Sequence, residues 1–190
     1  MTTKSSLGKT DWIKAGFRAL TQGGPQAVKA ERIARDLNVS KGSFYWHFKD
    51  VPALKTAMLD HWMAAATQEI INAVDNSALP PQDQLRMLVQ ISTSELDADY
   101  GGPLTEAAIR DWARYDPLAA KALIDVDQKR LAYVEMLFTQ AKIAPLQAKS
   151  NAGILYGALI GLQQLAHHQL VNQQDDLMIL LEHLLKANSS

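Results

Sequence analysis

A chain of 190 residues makes one large domain or two small ones, and 47% hydrophobic content supplies a core and argues against disorder. With no cysteine there are no disulfides or thiolate metal sites, which fits a reducing cytosol. The net charge of −1 hides an asymmetry: residues 1–55 hold ten basic side chains against four acidic, and the remainder nine against sixteen, the footprint of a chain that meets a polyanion at one end. Residues 1–8 are polar, carry no apolar signal segment and read as a loose arm. The longest apolar run, near Ile154 to Leu162, is too short to span a bilayer, so a cytoplasmic protein without membrane contact is expected.

An amphipathic helix opens near Thr10-Asp11, with Ile13, Phe17 and Leu20 at i, i+4 and i+7, and Gly23-Gly24-Pro25 stops it. Its stripe is expected to pack on Ile33, Leu37 and Phe44. Ala30, Ile33, Ala34 and Leu37 fall on one face of a second helix. Ser40 suits the N-cap of a third, starting near Lys41, its hydroxyl accepting from a backbone amide near Ser43. Within it Phe44 and Phe48 can face a core together, leaving Lys41, Ser43, Tyr45, His47 and Lys49 for the other sides, all able to hydrogen-bond phosphate. Two short helices across Asn38-Val39-Ser40 have the helix-turn-helix layout, whose second helix enters the major groove. Spacing alone leaves open an ordinary helix hairpin with a solvated basic face.

Gly42-Ser43-Phe44-Tyr45-Trp46-His47-Phe48, with Glu31-Arg32-Ile33-Ala34 upstream, resembles the DNA-binding domain of the tetracycline-repressor (TetR) family over about Thr10 to Leu59. The resemblance implies a dimeric, all-helical transcription regulator, usually a repressor, that binds a palindromic operator. It divides the chain into a helix-turn-helix domain, residues 1–50, and a body, residues 51–190, that binds a small inducer and dimerises. It also implies that Ser43 and its neighbours Ser40, Lys41, Gly42, Phe44 and Trp46 approach base edges, while Tyr45, His47 and Lys49 hold phosphates. Where relatives often carry a lysine after the recognition helix, this chain has Val51-Pro52, so that phosphate contact is either missing or supplied by Lys55. Lys29 is expected as a further phosphate contact, because the usual threonine or serine cap of the second helix is missing.

Asp50 can cap a long helix from Val51 to about Ala73, with Leu54, Met58 and Trp62 along one edge. No flexible linker interrupts it, so movement in one domain should reach the other; a rigid spacer is the alternative. Breakers at Leu79-Pro80-Pro81, Gly101-Gly102-Pro103, Asp116-Pro117, Ala144-Pro145 and Asn172-Gln173-Gln174 predict helices over 82–98, 104–114, 117–142, 146–170 and 175–187. With no β-alternation of useful length, the fold class is all-α.

The helix from Pro117 is apolar on two faces, Leu123, Val126, Tyr133 and Leu137 on one and Ile124, Leu131, Val134 and Phe138 on the other, and is expected inside its domain. Trp62, Met63, Ile91, Glu95, Ile109, Trp112, Tyr133 and Leu137 are the candidates to line an apolar pocket with one carboxylate, suited to an amphiphilic effector. Plain core is the competing reading, and the resemblance favours the pocket. Gly153, Gly157 and Gly161 recur every fourth residue, and Leu177, Leu180, Leu181, Leu184 and Leu185 make a stripe, so both late helices seek another helix. An intrachain contact would satisfy that pattern. The resemblance implies instead a homodimer interface through Gly153, Gly157, Gly161, Leu177, Leu181 and Leu184.

There is no phosphate loop, thiol nucleophile or supported Ser-His-Asp set, and His167 and His168 point about 100° apart on a helix, so no enzyme activity, cofactor or metal is expected. Two functional classes remain. One is a ligand-responsive DNA-binding repressor; the other is a helical adaptor whose basic end binds some other polyanion.

Overall fold

A computed structural model describes residues 7–94 and 98–186, so most of the expected N-terminal arm and the candidate Glu95 lie outside the described residues. Ten α-helices and no strand occur among the described residues: α1 Lys9–Gly23, α2 Ala30–Asp36, α3 Lys41–Phe44, α4 Val51–Met63, α5 Glu69–Asn76, α6 Pro81–Ser92, α7 Thr105–Trp112, α8 Pro117–Gln140, α9 Pro145–Ala166 and α10 Gln173–Lys186. None of them is long and apolar enough to cross a membrane. The described residues form two compact units, one within 1–62 and 95–123 and the other within 63–94 and 124–190.

In the first unit α1 buries a wider face than the stripe alone: Trp12, Ala15 and Ala19 join Ile13, Phe17 and Leu20 against a core that includes Ile33, Phe44, Leu54 and Met58. Helices α1 and α4 approach so closely that a Cβ at Gly16 would stand 2.6 Å from the Met58 sulfur, so only glycine fits there without a shift. Gly24, at φ 70°, ends α1 with its N–H on the Leu20 carbonyl. A short segment before α7 packs back on α1, where Lys14 pairs with Asp99 at 2.9 Å and Tyr100 stacks on His61 of α4, centroids 4.7 Å apart.

The second unit centres on Val74, Leu85, Val89, Tyr133, Leu137, Phe138, Leu155, Leu177 and Leu181. Arg86 of α6 fixes α10 through paired bonds to Glu182, Nε to Oε1 at 2.6 Å and Nη2 to Oε2 at 3.1 Å. Helix α8 is buried on two faces only towards its C-terminus, at Tyr133, Val134, Leu137 and Phe138; Ile124, expected inside, is exposed.

The expected long helix 51–73 extends to Asn76 but is not regular, since Ala64–Gln68 forms a π-turn. Arg130 braces that turn, donating from Nη2 to the Ala66 carbonyl at 3.0 Å and from Nε to the buried Thr67 hydroxyl at 3.2 Å. The helix expected over 82–98 ends at Ser92. Three consecutive hydroxyls fold back on its last turn, Ser92 on the Leu88 carbonyl, Thr93 on Val89 and Ser94 on Ile91, adding side-chain bonds to the backbone there. Helix α9 stops at Ala166 rather than 170, and Gln169 takes φ 57° beyond it.

Candidate nucleic-acid interface

Helix α3 begins at Ser40, whose extended backbone (φ −71°, ψ 150°) is that of an N-cap. The cap differs from the expectation in its chemistry: the Ser40 hydroxyl meets the Ser43 hydroxyl at 3.2 Å, while the Ser43 amide bonds to the Ser40 carbonyl at 3.0 Å. The helix is a single turn, continued by turn residues to His47, and its orientation comes from its buried side. Phe44 is fully buried, edge-on to Trp12 at 5.5 Å and stacked on Phe48 at 5.8 Å. Its place among the DNA-facing residues is therefore corrected: the ring anchors α3 and has no surface to offer a base.

Anchoring Phe44 and Phe48 turns their neighbours outward. Tyr45 is 56% and Trp46 89% exposed, unusual for aromatic rings that have a core within reach. Lys41, Gly42, Lys29 and Lys49 are exposed too, and Ser43 is half-buried. His47 is partly covered, its ring 5.9 Å from that of Trp12. Lys55 is placed differently from a free phosphate anchor: its ammonium lies over the Trp112 ring, 5.4 Å from the centroid.

One charged pair in this surface has no periodic signal in the sequence. Glu31, in the first turn of α2, bonds through Oε1 to Lys41 Nζ, the first residue of α3, at 2.5 Å. That hydrogen bond to Lys41 holds the Glu31 carboxyl below its ordinary range and raises the lysine, so both stay ionised. The ten-residue separation becomes proximity only once the turn Leu37–Ser40 has folded the two helices together.

Residues 13–54, which span α1 to the start of α4, match the sequence family of bacterial regulatory proteins, tetR family. Over this N-terminal stretch the chain carries a tetR-family DNA-binding domain sequence. No curated protein matches the chain. Among solved structures, a TetR-family transcriptional regulator from Rhodococcus sp. superposes with a TM-score of 0.74 at 18% identity, covering 96% of this chain and 98% of that one. A regulatory protein TetR from Rhodobacter sphaeroides gives 0.68 at 21%, over 95% and 98%. SmeT, the repressor of the SmeDEF multidrug efflux pump of Stenotrophomonas maltophilia, gives 0.67 at 16%, over 96% and 90%. The TetR fold thus extends through the body.

The expected pocket residues divide between the two units. Trp62, Ile109 and Trp112 are buried in the first, where Trp62 donates its indole N–H to Glu106 at 3.2 Å and Trp112 to Asp116 at 2.9 Å. In the second, Tyr133 and Leu137 are buried in the apolar core, Ile91 packs against it and Met63 is half-buried. Tyr133 donates its hydroxyl to Asp75 at 2.7 Å. Glu106, in the first turn of α7 one helical turn before Ile109, supplies a carboxylate that sequence reading did not select.

The expected dimer residues divide too. Gly153, Gly157 and Gly161 are exposed on α9, and a Cβ at any of them would meet no described atom within 4 Å. Leu177 and Leu181 face the other way, buried in the core of their own unit, and Leu184 is half-buried. These two leucines are corrected to intrachain packing, with Ile179, 56% exposed, on the open side of α10.

Proposed function

We propose that the protein is a ligand-responsive repressor that binds a palindromic operator as a homodimer and is released by a small, largely apolar molecule. The observation that carries this reading is the outward set Lys41, Tyr45, Trp46 and Lys49 on a turn whose other side is locked into the core by Phe44 and Phe48. The Tyr45 hydroxyl and the Lys49 ammonium there suit phosphate oxygens, and Ser43 suits a base edge. Residues 1–50 act as the reading head and 51–190 as the effector-binding and dimerising body, working in the cytoplasm without enzymatic chemistry.

Dimerisation is supported by the open glycine face of α9, flanked by exposed Ile154 and Leu165. Small residues let a second helix approach closely, and a two-fold pair of heads reads half-sites about 34–36 Å apart. Effector response is supported by α4, which starts at the Asp50 cap beside the reading helix, passes Met58 against Gly16, and carries Trp62. A shift of α4 would move α1 with it. The repressor role follows SmeT, a repressor of the same fold.

A gel-shift selection from a library of palindromic duplexes tests this reading. A regulator enriches one sequence with two half-sites. Equal binding to all duplexes, or to heparin as readily as to DNA, would instead support the adaptor with a basic end.

A further inference from the structure

An exposed carboxylate is out of place on a surface meant for phosphates, unless it has something to accept from. Glu31 and Lys41 stand at the first turns of the two helices of the helix-turn-helix, with side chains 58% and 51% exposed. The N-terminal residues of a recognition helix are those that contact base edges. Paired with Glu31, Lys41 is a poor phosphate anchor, because the pair carries no net charge. What the pair offers is a donor and an acceptor side by side, 2.5 Å apart.

We propose that Glu31 and Lys41 act as one reading unit for a G·C base pair in each half-site, Lys41 donating to guanine and Glu31 accepting from the N4 amine of the paired cytosine. This rests on the operator-binding reading above. In the major groove guanine O6 and cytosine N4 are themselves hydrogen-bonded, hence about 2.9 Å apart, a spacing the ion pair can span. The order of groups sets the orientation: a keto oxygen must lie under Lys41 and an amine under Glu31. That admits G·C and T·A and rejects both reversed pairs. Between the two, guanine adds N7 beside O6 for the remaining ammonium hydrogens, whereas T·A would set the adenine N7 acceptor against the carboxylate.

The test measures affinities for four operators that differ only at the position where wild-type selection enriches G·C. Wild type should prefer G·C by roughly tenfold over the other three. K41A should lose most of that discrimination. E31Q replaces the carboxylate by an amide that can accept from adenine N6 and donate to its N7, so its preference should move to T·A. Both side chains are exposed, so the variants should fold, which circular dichroism checks. If E31Q and K41A change affinity equally for all four operators, the pair is a surface ion pair and the proposal fails while operator recognition stands. A wild type that selects no sequence overturns the operator reading and this one with it.

Discussion

Lys49 and Phe44 lie five positions apart on the same turn region and have opposite duties, which mutation should separate. Lys49 is exposed, so Lys49→Ala should leave the melting temperature unchanged, weaken binding to all sequences alike, and flatten the plot of log affinity against log salt by about one unit. Tyr45→Phe should also weaken binding without altering base preference; an unchanged salt slope in the lysine variant would remove it from the phosphate contacts. Phe44→Ala removes a fully buried ring between Trp12 and Phe48 and should cost about 3–5 kcal/mol in chemical denaturation. The 3.6-residue period separates Phe44 and Phe48 from Tyr45 and Lys49 on paper, because it follows from local geometry. The Glu31–Lys41 pair was not legible, since it depends on how a turn folds two helices together.

At the scale of helices, strong punctuation was readable and weak punctuation was not. Asp50 and Asp116 cap where their sequence contexts place them, accepting from Ala53 at 2.8 Å and from Leu118 at 2.9 Å. The end of α6 escaped because serine and threonine can bond back to the preceding turn without ending a helix, so they punctuate weakly, whereas Gly and Pro close helices by covalent constraint. The π-turn at Ala64–Gln68 escaped for a different reason: Arg130, sixty-odd residues later, supplies the bonds that brace it. Leucine periodicity on α10 marked a buried stripe and left its cover open, since a pattern shows that a face is buried and not by which chain; the family resemblance pointed to a partner, whereas Leu177 and Leu181 are covered by their own chain. Two predictions belong here. Gly157→Leu projects into open space, so the protomer should fold at least as stably, with helix propensity improved by about 0.5–1 kcal/mol, yet sediment as a monomer and bind the operator poorly; a dimer in sedimentation would place the interface elsewhere. The α6–α10 tie gives the second. The Arg86 hydrogen bond holds Glu182 below its ordinary value of 4.5, so the stability it contributes is complete above that value and is lost as pH falls through the lowered one. The melting-temperature gap between wild type and Glu182→Gln should therefore be widest near pH 7 and narrow only as pH falls below 4.5.

For the whole molecule, the proposed repressor is a linkage machine, and linkage can be tested before the effector's contacts are known. If an effector weakens operator binding by some factor, the operator must weaken effector binding by that same factor. A factor of about a hundred, worth about 2.7 kcal/mol, lies within the usual range of coupling energies. Trp62 and Trp112 are buried in the unit that holds the reading head, so tryptophan fluorescence is a natural reporter. Small amphiphilic compounds titrated into free protein, and into protein saturated with operator, give two affinities whose ratio should equal the loss of operator affinity measured by gel shift. Trp112→Phe is a better probe than alanine, because it keeps most of the buried volume while removing the indole N–H that Asp116 accepts. That variant should keep operator affinity within about twofold if Trp112 serves the effector and not the reading head. A compound that binds free and operator-bound protein equally tightly cannot be the releasing ligand, however tight its binding, because only a difference in affinity between the two states moves the equilibrium between them.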